Sequence, residues 1–92
     1  MDKTEYQLEV ISRIRKLRIE NEVSQVGLAN LIDVSNGQIG NIESPKFKHK
    51  YTLKQLYLIA QHFKVSLDYI LTGSDKTLGS TQLIEELIKY DE

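Results

Sequence analysis

Helix-opening residues recur along this chain, each followed by apolar residues at helical spacing, and that register constrains the fold more than any other feature. Ser24, Ser35, Thr52 and Ser66 each stand before such a stripe, and Ser35 and Thr52 have a glutamine three residues on, Gln38 and Gln55. A side-chain oxygen at such a position accepts from an otherwise unpaired main-chain N–H, and the glutamine returns a bond to the cap. No stretch alternates apolar and polar residues long enough to make a strand. Breakers are few: five glycines and the single Pro45. An all-α chain is expected.

The spacing predicts six helices. The first runs from Lys3 or Thr4 to Glu22, with Leu8, Ile11, Ile14, Arg15, Leu17 and Arg18 along its inward stripe. Gln25–Ile32 follows Ser24, with Leu28, Ala29 and Ile32 inward, and Asp33–Val34 make a tight turn. The third, Asn36 to Glu43 or Ser44, is capped by Ser35 and Gln38 and stopped by Pro45, which pushes its predecessor out of the helical region. Residues 46–51 form a basic loop. The fourth helix spans 53–63 with Leu53, Leu56, Ile59, Ala60 and Phe63 inward. The fifth, Leu67 to Leu71, stops at a left-handed Gly73, and the sixth runs from Ser80 to Tyr90 after a linker over 74–79. The expected division is a compact five-helix domain over 1–73 and a linker with an amphipathic helix over 74–92.

Ninety-two residues suit one core, and a domain this short gains from association. With no cysteine there is no disulfide or thiolate metal site, which fits a reducing, cytoplasmic setting. No apolar run approaches the roughly 20 residues of a membrane span, and Met1–Asp2–Lys3–Thr4–Glu5 does not open a signal peptide, so no membrane partner is expected. The formal charge of −1 conceals a polarity. Residues 13–64 carry nine Lys/Arg against four acids, whereas the first twelve residues sum to −2 and the last eighteen to −3. A polyanion responds to where charge sits, and the middle of this chain is basic.

Two short helices joined by a tight turn, the second eight or nine residues long, make the helix-turn-helix arrangement, in which one helix bridges the phosphate backbone and the other enters the major groove. Inward positions of this segment are apolar: Leu28, Ala29, Val34, Ile39 and Ile42. Outward positions of the third helix are Asn36, Gly37, Gln38, Gly40 and Asn41, amides and glycines without a charge. The stretch LRIENEVSQVGLANLIDVSNGQIGNIES followed by YTLKQLYLIAQHFKVSLDYILTG resembles the Cro and phage-repressor-like helix-turn-helix regulators, over about residues 8–73.

The resemblance implies a five-helix fold, a dimer on double-stranded DNA, and a bacterial or phage setting near the nucleoid. It implies base contacts from Asn36, Gly37, Gln38 and Asn41, a phosphate contact from Gln25, and a charge pair between Arg18 and Glu43. Gly27 departs from the glutamate usual in the family at that position, and Ser44–Pro45–Lys46 replaces the usual Asn-Gly turn. Ser35, Lys46, Lys48 and Lys50 are further phosphate candidates. Phe47, His49 and Tyr51 read as residues that pack the loop.

A carboxamide offers a donor and an acceptor side by side, matching adenine N6 and N7, while guanine is best read by arginine, which the outward face of the third helix lacks. An A·T-leaning half-site is expected. Gln38 has a competing role as capping partner. Leu83, Ile84, Leu87 and Ile88 stripe the last helix and are its dimerisation candidates: pairing with the same helix of a second copy is the favoured expectation, packing on its own domain the alternative. Enzymatic readings find no support: His49 and His62 have no neighbouring ligands, and no cofactor or metal is expected. The competing class is a protein-interaction module on the same fold, such as an antitoxin, whose partner would be a toxin; an anti-repressor is a further possible partner.

Overall fold

Thr4, Ser24, Thr52 and Ser66 each lie in extended backbone and accept from the main-chain N–H three residues on, fixing four helix starts. A computed structural model describes residues 3–92; Met1 and Asp2, which open the expected first domain, lie outside the described residues. Its elements are α1 (Glu5–Glu20), α2 (Gln25–Leu31), α3 (Gln38–Glu43), α4 (Leu53–Phe63), α5 (Leu67–Thr72) and α6 (Ser80–Asp91), with no strand among the described residues. The fold is all-α. Thr4 forms a reciprocal capping box with Gln7, as Thr52 does with Gln55.

Three helices end alike. After α1, α2 and α4 the chain passes through a left-handed residue, Glu22, Asp33 and Lys64, with φ of 56°, 58° and 57°. The next amide then reaches back: Val23 N–H to Arg18, Val34 N–H to Ala29, and Val65 N–H to Ala60, at 2.9, 2.9 and 3.0 Å. These are Schellman stops, which satisfy carbonyls the helix end leaves unpaired. Glycine occupies the left-handed position only after α5, at Gly73, where φ is +76° and an added Cβ would meet the Arg13 guanidinium at 2.9 Å.

The third helix differs from expectation at its start. Ser35 and Gln38 form no capping box: the bond between them is main-chain, Gln38 N–H to the Ser35 carbonyl at 3.0 Å, and α3 begins at Gln38 with no side-chain cap. Asn36 and Gly37, both poor helix formers, occupy a turn instead.

The core collects Val10, Ile11, Ile14, Leu28, Ala29, Ile32, Ile39, Ile42, Tyr51, Leu56, Ile59, Ala60, Ile70, Leu71 and Tyr90. The inward stripe of α1 is rotated from the expected one. Leu8 and Arg15 are exposed, while Gln7 and Val10 are buried. Leu53 likewise lies outside the core. The α6 helix packs on its own domain: Tyr90 is fully buried and donates from its hydroxyl to the Tyr51 carbonyl at 2.8 Å, and Gln7 donates to the Tyr90 carbonyl at 2.6 Å. The Tyr6 hydroxyl donates to Glu86, which holds that carboxylate below its usual range. Leu83 and Leu87 pack against the core, whereas Ile84 and Ile88 are 55% and 57% exposed. The radius of gyration, 12.5 Å, is that of a closed domain, about the value expected at this length. No helix of the described residues is long and apolar enough to cross a membrane.

Candidate nucleic-acid interface

Leu28, Ala29, Ile39 and Ile42 set α2 and α3 against the same core, each fully buried. Between the two helices, the Asp33 turn returns Val34 N–H to Ala29 and Val34 itself packs on the core margin. The opposite side of α3, with the turn before it, is polar. Asn36 and Gly37 are exposed, and Gln38, Gly40 and Asn41 are half-buried. Among the described residues no hydrogen bond engages the side chains of Asn36, Gln38 or Asn41, so the Gln38 amide is not consumed by capping. A Cβ at Gly37 would meet nothing within 4 Å, and one at Gly40 only Gln25 Oε1 at 3.4 Å. Sterics within the chain therefore do not require either glycine.

The end of α3 is anchored by Glu43. Arg18 donates to both carboxylate oxygens, Nε to Oε2 at 2.8 Å and Nη2 to Oε1 at 2.9 Å, with both side chains almost wholly buried. Its third donor group, Nη1, reaches the Val23 carbonyl at 3.0 Å. These bonds to Glu43 hold the guanidinium more firmly protonated than usual, against the opposing effect of burial. Gln25 Nε2 also donates to Glu43 Oε1, at 2.9 Å, and Arg15 stands 3.8 Å from the same oxygen with its side chain largely exposed. The carboxylate thus ties α1, α2 and α3 together. One N–H of the Gln25 amide is committed there, and the second remains for another acceptor.

The loop after α3 distributes its residues unevenly. Lys46 and Lys48 are exposed, with Ser35 exposed as well. Lys50 instead donates to the Asp91 carbonyl at the end of α6, at 3.0 Å, and lies over the Tyr90 ring at 5.7 Å. Phe47 and His49 meet edge to face on the surface, ring centres 6.1 Å apart. Tyr51 is fully buried, its hydroxyl unpartnered, and burial together with the nearby Glu43 carboxylate pushes its ionisation upward. No group of three or more His, Asp or Glu able to hold a metal ion occurs among the described residues.

Two participants carry no mark in the sequence. Arg15 counts in the α1 stripe by spacing yet sits outside it, beside Glu43. Lys3 belongs by position to the acidic start of the chain, yet its ammonium is buried at the end of α3, donating to the carbonyls of Ile42 and Ser44. Neither contact follows from local spacing, because each joins residues far apart in the chain.

Comparison with known proteins bears on the same segment. The chain is 31% identical over 67 residues to the HTH-type transcriptional regulator PrpR of Mycobacterium tuberculosis (strain ATCC 25618 / H37Rv), a match covering 73% of this chain and 13% of that protein. No solved structure matches significantly. A family of helix-turn-helix domains matches residues 11–76, from the middle of α1 to just past α5, and the chain belongs to this helix-turn-helix family.

Proposed function

We propose that the chain is a sequence-specific, double-stranded-DNA-binding transcriptional regulator that acts as a dimeric repressor on a pseudo-palindromic operator. The observation that carries this reading is the uncharged face formed by α3 and the turn before it, whose amides at Asn36, Gln38 and Asn41 have no partner within the protein's described residues. Amides left open on a helix of this placement suit base edges in the major groove, A·T pairs above all. Gly37 and Gly40 permit close approach of the main chain. The segment's membership of the helix-turn-helix family and the name of the mycobacterial relative support the assignment.

Around this face, Gln25, held by Glu43, offers its second N–H to a phosphate, and Ser35, Lys46 and Lys48 add donors and charge. Lys50 joins them only by leaving Asp91. Ile84 and Ile88, outward on α6, give the surface for a second copy, while Leu83 and Leu87 serve the fold.

Fluorescence anisotropy with a mixed-sequence duplex tests the DNA-binding half of the proposal. Binding at low salt is expected, weakening steeply as salt rises because phosphate-bound counterions are released. Absence of binding at low salt would overturn it.

A further inference from the structure

The third helix is short of intrinsic support. It has six residues, no side-chain cap at its start, and Gly40 in its first turn. A helix of this length is marginal without outside contacts. Its other end is worse provided. Pro45 has no N–H, and the N–H of Lys46 turns to Ser44 Oγ at 3.2 Å, so the Ile42 carbonyl receives no main-chain donor from the following turn.

Lys3 supplies what the local chain withholds. Its ammonium donates to the Ile42 carbonyl and, at 2.6 Å, to the Ser44 carbonyl, reaching across 39 and 41 positions of sequence. The residue is only 5% exposed, an uncommon state for lysine, whose charge is costly to bury without partners. A cation at the carboxyl end of a helix also meets the negative end of its dipole. The approach of Lys3 is fixed by the capping box that follows at once, Thr4 with Gln7, and Gln7 is itself held by the Tyr90 carbonyl.

We infer that Lys3 is a positioning residue of the reading head: it caps the recognition helix from the start of the chain and sets the angle at which Asn36, Gln38 and Asn41 are presented to DNA. The inference rests on the DNA-binding reading. With its ammonium buried and donating to two carbonyls, Lys3 is not placed to meet a phosphate, which separates this role from that of a basic arm lying along the duplex.

The test compares the wild-type 92-residue chain with Lys3→Met and Lys3→Arg on a duplex selected from random DNA by the wild type and on a mixed-sequence duplex, over a range of salt. Lys3→Met is expected to bind the selected duplex about tenfold more weakly. Its affinity for mixed sequence and its salt slope are expected to be unchanged, and Lys3→Arg to restore most of the loss. Amide exchange in the free protein should quicken at Ser44, whose N–H closes the last turn on Gly40, in Lys3→Met alone. Equal binding of the selected duplex by Lys3→Met would overturn the inference. So would a parallel loss on both duplexes with a salt slope smaller by about 1, the sign of a phosphate contact. If Lys3→Met does not fold, Lys3→Gln, which keeps a neutral donor but no charge, takes its place, with a smaller loss on the selected duplex expected and an unchanged salt slope. A wild type that prefers no duplex would refute the DNA reading instead, and unchanged exchange at Ser44 would still overturn the cap.

Discussion

The Glu43 carboxylate collects donors from Arg18 and Gln25 and stands beside Arg15, so one side chain joins three helices. Its pairing with Arg18 is two-pronged and nearly dry. Charges taken out of water are tolerated only as a pair, and removing one partner leaves the other buried and alone. Arg18→Ala is therefore expected to destabilise the fold by about 3–5 kcal/mol in equilibrium urea denaturation. Arg18→Lys should recover only part of that, since a single ammonium cannot match the fork of a guanidinium. A loss below about 1 kcal/mol, typical of exposed pairs, would show that the pair is not structural. The Arg18–Glu43 pairing was foreseeable through family resemblance, because both residues sit at motif positions. The turning of Gln25 toward Glu43 and of Lys3 toward Ile42 was not, since nothing in local spacing records a contact between distant segments.

Helix starts and helix stops differ in how openly they are written. Ser24, Thr52 and Ser66 announce their helices because the capping bond needs a short side chain bearing an oxygen, and those starts agree with the structure. Ser35 has the same composition but no capping role, since the glycine and asparagine after it weaken the first turn it would have opened. The Schellman stops at Glu22, Asp33 and Lys64 are set by main-chain bonds, and only a glycine would have marked them, as Gly73 does. Lys64 holds a left-handed conformation that costs a residue with a Cβ about 1–2 kcal/mol. Lys64→Gly is expected to raise stability by up to about 1 kcal/mol, the relief being partly offset by the greater freedom of glycine in the unfolded chain. A thermal melt reads the result, and a lower midpoint would mean that the lysine side chain contributes more than its backbone strain removes.

For the whole molecule, both terminal segments converge on α3 and the loop that follows it. Lys3 meets the end of α3, while Tyr90 and Asp91 hold the loop that leaves it, through Tyr51 and Lys50. Charge counted along the sequence separates a basic middle from acidic ends; in space one terminal cation belongs to the middle, and one loop lysine belongs to the end of α6. The all-helical fold was legible because amphipathic spacing and caps agree throughout. The role of α6 was less legible: the stripe favours pairing with a second copy for all of Leu83, Ile84, Leu87 and Ile88, whereas packing divides them into an inner pair, Leu83 and Leu87, and an outer pair, Ile84 and Ile88.

Selection of binding sites from random double-stranded DNA by the 92-residue chain asks whether α3 and the turn before it read sequence with an amide face. The expected product is one enriched motif with A·T-leaning half-sites repeated in inverted order about one helical turn apart, as a dimer requires. A G·C-rich core, or no enrichment over the starting pool, would contradict it.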